Sequence, residues 1–256
     1  MEQFPFNLGD KASFSAAANL AVEARPDGVL VAPIFYDEAL PFFDQCKAQD
    51  IPYVMFNTHI PEVPAISFIG QNLYQSGRVG AELMMMGQHQ PGKFAVLHLD
   101  EDIHNAVHLR EKERGFREYC QEKSNGSFTV TTQDHTHPGH PGFEGEIAQL
   151  VRDPELRGVF ISTSKGSFIV AGLIEKLGKK DFRVVGYDLL DESLQYLRHG
   201  TIDFLINQNP KRQAFVGIGH LVNHLLFKKS SPPVTLFPLE VITPQNVDSY
   251  LSSGFH

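Results

Sequence analysis

Short apolar runs alternate with helical stretches along nearly the whole chain, and this alternation constrains the fold more than any other feature. The runs are Gly28-Val29-Leu30-Val31-Ala32, Tyr53-Val54-Met55-Phe56, Phe94-Ala95-Val96-Leu97, Val159-Phe160-Ile161, Val184-Val185-Gly186 and Phe204-Leu205-Ile206. Most are apolar throughout, as strands covered on both faces of a parallel sheet must be. Between them the spacing predicts helices over about 12–24, 37–49, 73–87, 106–123, 144–152, 166–178, 191–198 and 211–227. In the last, Phe215, Ile218, Leu221, Val222, Leu225 and Leu226 follow helical spacing. Asp10 and Asn209-Pro210 are helix-start signals. The rhythm predicts an α/β fold with right-handed crossovers. Seven or more βα units plus a β segment from Leu236 to Ile242 suit two smaller sheets better than one, and Gly87-Gln88-His89-Gln90-Pro91-Gly92 reads as a break. At the start, Phe4-Pro5-Phe6 reads as an unusually short opening strand.

Composition narrows the function. The chain has 256 residues and a net charge of −8, which argues against holding nucleic acid through its overall field. No apolar run reaches the roughly 18 residues of a membrane span, and the first residues lack the basic start and apolar stretch of an export signal. Cys46 and Cys120 lie far apart in predicted helices, so no disulfide framework and a reducing cytoplasm are expected. Trp is absent, so a binding platform must use Phe or Tyr.

Ligands of open α/β sheets sit beyond the carboxyl ends of the strands. That rule selects Asn57 and Thr58, Asp100, Thr163 and Ser164, Asp188 and Gln208. Asp188 can accept from two neighbouring hydroxyls at once, and Gln208 can both donate and accept. The rival role for Asp188 is to cap the helix starting near Asp191, and Gln208 can equally satisfy loop backbone. Catalytic motifs are missing: there is no Gly-x-Ser-x-Gly elbow, phosphate loop or dinucleotide fingerprint. The expectation is therefore a protein that is not an enzyme and uses no cofactor. Cys120 reads as a buried thiol, and Asn125-Gly126-Ser127 as a turn before a strand. In Asp134-His135-Thr136-His137-Pro138-Gly139-His140, three histidines could bind zinc or nickel. Structural zinc usually draws ligands from separated elements, however, and no Cys or His pair elsewhere matches. Glu144 and Glu146 do not alter that reading, so a polar loop without metal is expected.

Three ordered segments carry a resemblance: Arg25-Pro26-Asp27-Gly28-Val29-Leu30-Val31-Ala32-Pro33, then Ile69-Gly70-Gln71-Asn72-Leu73-Tyr74-Gln75-Ser76-Gly77, then Val184-Val185-Gly186-Tyr187-Asp188 with Leu197 to Asp203 and Ile206 to Pro210. Across nearly all of the chain they resemble the type I periplasmic-binding-protein fold, particularly the effector-binding region of LacI-type transcription regulators. The resemblance implies two Rossmann-like lobes with parallel sheets, joined by a three-strand hinge around a ligand cleft. Lobe one would take 1–90 and 209–238, lobe two 91–208 and 239–256, with hinges near Gln90, Gln208 and Pro238.

The same resemblance places Asp188 on the family's ligand-binding aspartate and Gln208 on its hinge-side glutamine. Asn57 stands where an aspartate is common, and Thr163 where an asparagine is usual. Lys112 stands at the family arginine, with Arg110 a possible substitute, although both lie in a charge-dense stretch that reads equally as a solvated face. Phe143 falls in the loop that often lays an aromatic ring on the sugar, or is a core Phe; Phe35 and Tyr36 are weaker candidates. The implied function is sensing of a small effector, a carbohydrate, by a cytoplasmic homodimer that meets DNA only through a helix-turn-helix head outside these residues. Met84-Met85-Met86 is a candidate dimer contact or simply core. The alternative is a solute-binding protein of a sugar transporter. The resemblance also implies a strand and helix before Met1, so the sequence predicts a lobe one with an exposed sheet edge that is unstable alone or self-associates.

Overall fold

The computed structural model describes residues 1–100, 103–135, 139–178 and 182–254. Two compact units emerge, and the chain visits both more than once. The first contains Met1–Asn72, His104–His108 and Asn209–Pro238, and the second Leu73–Ile103, Leu109–Gln208 and Leu239–His256. The first passage between units therefore falls after Asn72 rather than near Gln90, because the following helix packs on the sheet of the second unit.

The first unit is built on β1 (Val29–Val31), β2 (Tyr53–Phe56), β3 (Ser67–Gly70) and β9 (Val234–Leu236), paired in that order and all parallel. Helices α1 (Lys11–Glu23) and α2 (Tyr36–Ala48) pack together, and α8 (Pro210–Phe227) lies on β1, β2 and β3. The starts are those read from the sequence: the Asp10 carboxylate accepts from the Ala12 N–H, and Asn209 caps α8 by accepting from the Arg212 N–H. The core is aromatic, with Phe14, Phe35, Phe42, Phe43 and Tyr53 buried. Phe4-Pro5-Phe6 forms no strand; instead Phe6 sets its ring edge-on to Phe14 at 5.0 Å, closing the core like a plug. No described strand pairs with the outer edge of β1, and a groove of about 770 Å³ runs beside it, lined by Val29, Leu30, Ile218, Leu221 and Leu225 among others.

The second unit has a six-stranded sheet in the order β10 (Glu240–Ile242), β8 (Phe204–Asn207), β7 (Arg183–Tyr187), β6 (Leu156–Ile161), β4 (Gly92–Leu99) and β5 (Phe128–His135). All neighbours are parallel except β10. Successive residues of β4, β6, β7 and β8 feed opposite cores, which explains their continuous apolar runs. Phe94, Val96, Phe160, Val185, Tyr187 and Ile206 join one core with α3 (Leu73–Met85) and α4 (Val107–Lys123). Ala95, Leu97, Val159, Ile161, Val184 and Leu205 join the other, beneath α5 (Phe143–Arg152), α6 (Ser164–Leu177) and α7 (Asp191–His199). Met84 is buried in the first of these cores, while Met86 is exposed. A last helix, α9 (Val247–Ser252), completes the unit.

Helices α3 and α4 approach until their backbones touch. A Cβ on Gly77 would stand 1.8 Å from the Lys112 carbonyl oxygen, and one on Gly115 would stand 1.9 Å from that of Tyr74. Arg78 then reaches Glu122 through two hydrogen bonds, at 3.1 and 2.6 Å. No described helix is long and apolar enough to cross a membrane.

Candidate functional site

Three strands end in an Asn or Asp whose backbone turns left-handed. Asn57 follows β2 with φ 64°, Asp100 follows β4 with φ 69°, and Asp188 follows β7 with φ 61°. Asn and Asp tolerate this region better than other residues with a Cβ, and such outliers concentrate at functional sites. Each is still tied to a neighbouring strand or its end: the Asn57 N–H donates to Ile69 O, that of Asp100 to His135 O, and that of Asp188 to Ile206 O.

Asp188 is the centre of the richest cluster. It is buried, and its Oδ1 accepts the Gln208 N–H at 2.8 Å. Its Oδ2 accepts Gln208 Nε2 at 2.8 Å and the Ser164 hydroxyl. It does not cap α7, whose start at Leu190 has no side-chain cap. Thr163, which precedes α6, is also buried, yet its Oγ1 has no partner among the described residues. Leaving a buried hydroxyl without a partner costs about 1–3 kcal/mol. The carboxyl ends of β6, β7 and β8 thus gather one carboxylate, one amide and two hydroxyls.

A polar chain underlies this cluster. His98 lies between Ser162, whose Oγ is 2.6 Å from Nδ1, and Glu113, whose carboxylate is 2.8 Å from Nε2. Buried Lys112 donates to Ser162 O at 3.0 Å and holds its ammonium 3.7 Å from the Tyr187 ring centre. The Tyr187 hydroxyl in turn meets Ser76 Oγ at 2.8 Å. Burial pushes the Tyr187 phenol well above its ordinary pKa, so it stays neutral. Ser162 and Tyr187 immediately precede Thr163 and Asp188, so the chain fixes the backbone from which the site side chains project. Ser162, Tyr187, Ser76 and His98 are absent from the strand-end list, because their role depends on which sheet face each occupies.

The other sequence candidates lie elsewhere. Lys112 holds the supporting layer rather than an exposed surface, and Arg110 is exposed, donating to Ile103 O at 3.1 Å. Phe143 is buried in the core under α5, edge-on to His135 and His140, and offers no open face for stacking. Phe35 is core, and Tyr36 donates its hydroxyl to Glu62. Asn57 belongs to the first unit, where its N–H also donates to Gln213 Oε1 at 2.9 Å. The groove beside β1 is lined mainly by aliphatic and phenylalanine side chains, with Glu2, Gln3 and Asp27 as its polar members. Cys46 and Cys120 are free and buried, and burial pushes their thiols up to about 11 and about 12. His137 lies outside the described residues.

A family model described as periplasmic binding protein domain matches residues 3–229. Among solved structures, the chain is similar to a protein from Bacteroides fragilis provisionally described as a LacI transcriptional regulator. The identity is 28%, with a TM-score of 0.88 over 96% of this chain and 85% of that one. It is also similar to an ABC transporter solute-binding protein from Agrobacterium vitis bound with α-D-tagatopyranose: 21% identity, TM-score 0.84, covering 96% and 85%. A glucose-galactose binding protein from Geobacillus stearothermophilus gives 19% identity and a TM-score of 0.82, covering 93% and 84%. The last two likenesses concern the fold alone. No curated protein sequence matches the chain.

Proposed function

We propose a function from one premise: this chain belongs to the periplasmic binding protein domain family, and in it the carboxyl ends of β6, β7 and β8 hold a small carbohydrate. The Asp188 cluster carries this reading. A carboxylate held in place by Gln208 and Ser164 is an acceptor already oriented for sugar hydroxyls. The Gln208 amide adds a donor and an acceptor at the same place, and the Thr163 hydroxyl gains the partner it lacks. The sugars named for two of the similar structures support the class of ligand.

The finer reading is an effector-sensing domain of a LacI-like regulator. Its support is the 28% identity to the Bacteroides fragilis protein, against 19% and 21% for the two sugar-binding proteins. The effector would shift the population of conformations by its differential affinity and so alter DNA affinity, with this domain in the cytoplasm as a homodimer. Transport is the second reading, favoured by the solute-binding role named for the Agrobacterium vitis protein. The coding sequence upstream of the Met1 codon, read in frame, separates the two: a helix-turn-helix supports the regulator and an export signal supports transport.

Titration calorimetry with D-glucose, D-galactose, D-arabinose and D-tagatose tests the carbohydrate reading. One of these sugars should bind, and Asp188→Asn, which keeps the size and the left-handed backbone, should weaken it about 10–100-fold by removing charge-assisted hydrogen bonds. Absence of binding for all four, or equal affinity in the variant, refutes the assignment.

A further inference from the structure

The geometry points to a zinc site at the end of β5, formed by His135 Nδ1, His140 Nε2 and the Glu146 carboxylate. This site is separate from the Asp188 cluster and does not depend on the carbohydrate reading. The three ligand atoms lie within 4.8 Å of one another. The Glu146 carboxylate stands 3.2 Å from His135 Nδ1 and 3.6 Å from His140 Nε2. Ligand atoms about 2.0–2.1 Å from a tetrahedral zinc are about 3.4 Å apart, so two of the three edges already have the required length.

The ligands come from a strand end, a loop and a helix, so the site does draw on separated elements. Helix phase selects the carboxylate. Phe143, Ile147 and Val151 turn the apolar face of α5 into the core, which leaves Glu146 beside the two imidazoles. Glu144 instead reaches Lys176 at 3.6 Å. Phe143 supports the site from below, its ring centre 5.1 Å from that of His135 and 6.1 Å from that of His140.

Outer contacts suit one ligand and adjust at the other. His135 Nε2 is 3.3 Å from Gln133 Oε1, so the N–H opposite the metal has an acceptor, the arrangement that fixes a ligating imidazole. His140 Nδ1 now accepts the Gly142 N–H at 3.1 Å. Ligation through Nε2 places the proton on Nδ1, so that one loop hydrogen bond must open. Two imidazoles and a carboxylate match a divalent cation of borderline softness and leave a fourth position for water. Calcium and magnesium, which take oxygen ligands, should not bind.

The experiment is calorimetric titration of the full, untagged chain with ZnCl2 near neutral pH, with metal analysis after dialysis. His140→Ala and Glu146→Gln are the variants, since both side chains are partly exposed and their loss leaves the core intact. The expected result is one retained zinc per chain, weakened about tenfold or more by each variant, with circular dichroism unchanged. Absence of retained zinc overturns the site and leaves a metal-free His–Glu–His hydrogen-bonded cluster. Zinc held equally by both variants also overturns it, because other histidines of the chain are then the ligands.

Discussion

Replacing Glu113 by Gln should expose how much the polar layer beneath the candidate site contributes. Glu113 is largely buried, its side chain only 14% exposed, and burial alone raises its pKa. Hydrogen bonds from His98, Thr132 and Arg117 outweigh that and bring it down from 4.5 to about 2. A folded pKa below the unfolded one stabilises the protein at pH above 4.5, and the contribution is lost as pH falls through about 2. Its size at neutral pH is about 3 kcal/mol, and at pH 3 roughly half of that remains. Urea denaturation of both proteins at pH 7 and pH 3, followed by far-UV circular dichroism, measures the difference. The variant should be about 3 kcal/mol less stable at pH 7, and the gap should shrink toward half by pH 3. A gap that does not change with pH would refute the reasoning, since the loss would then come from packing and not from the charge.

Gly77→Ala should cost about 3 kcal/mol or more, because its Cβ meets backbone and α3 must lift from α4. Gly219→Ala in α8 meets nothing within 4 Å and should gain up to about 1 kcal/mol, so thermal melts of the pair isolate the close approach from helix propensity. Cys46 and Cys120 should resist a thiol-specific disulfide reagent at pH 8 in the folded chain and react together once urea unfolds it. Rapid labelling in native buffer contradicts the burial described.

Helices were legible mainly through apolar positions at helical period, and α1 and α8 add a side-chain cap at their start. Eight were expected and lie within about two residues of where they form, whereas the short α9 has too few turns to show a period. Strands were legible only where both faces are covered. β5 was expected only as the strand after the Asn125-Gly126-Ser127 turn and not as an apolar run, because it is an edge strand whose inward residues, Phe128 and Val130, alternate with threonines. β3 was recognised within a motif but not as a strand, since Ser67 and Gly70 interrupt its short apolar run. The single β segment expected from Leu236 to Ile242 is two strands, β9 and β10, in different sheets, which the sequence marks only with Pro238.

At the candidate site, strand-end position led to Asp188, Gln208, Thr163 and Ser164, and the fold brings these together. What it could not yield was the direction of side chains on α4. Arg110 to Arg114 reads as one charged face, yet Lys112 is turned fully inward and Glu113 largely so, because Gly115 and Phe116 pull that side of the helix onto α3 and the sheet. Likewise, Glu146 and Glu144 differ only in helix phase, and phase is set by packing.

The left-handed turns at Asn57, Asp100 and Asp188 restrict how this chain can diversify. At these positions the backbone admits Asn, Asp and Gly readily and charges other residues a conformational penalty of about 1 kcal/mol or more. Descendants of this sequence can therefore exchange a carboxylate for an amide, one heavy atom for another, without moving the strand end. They cannot easily install a larger side chain there. Variation at these three strand ends should run along charge rather than size, with bulk supplied by the loops beyond.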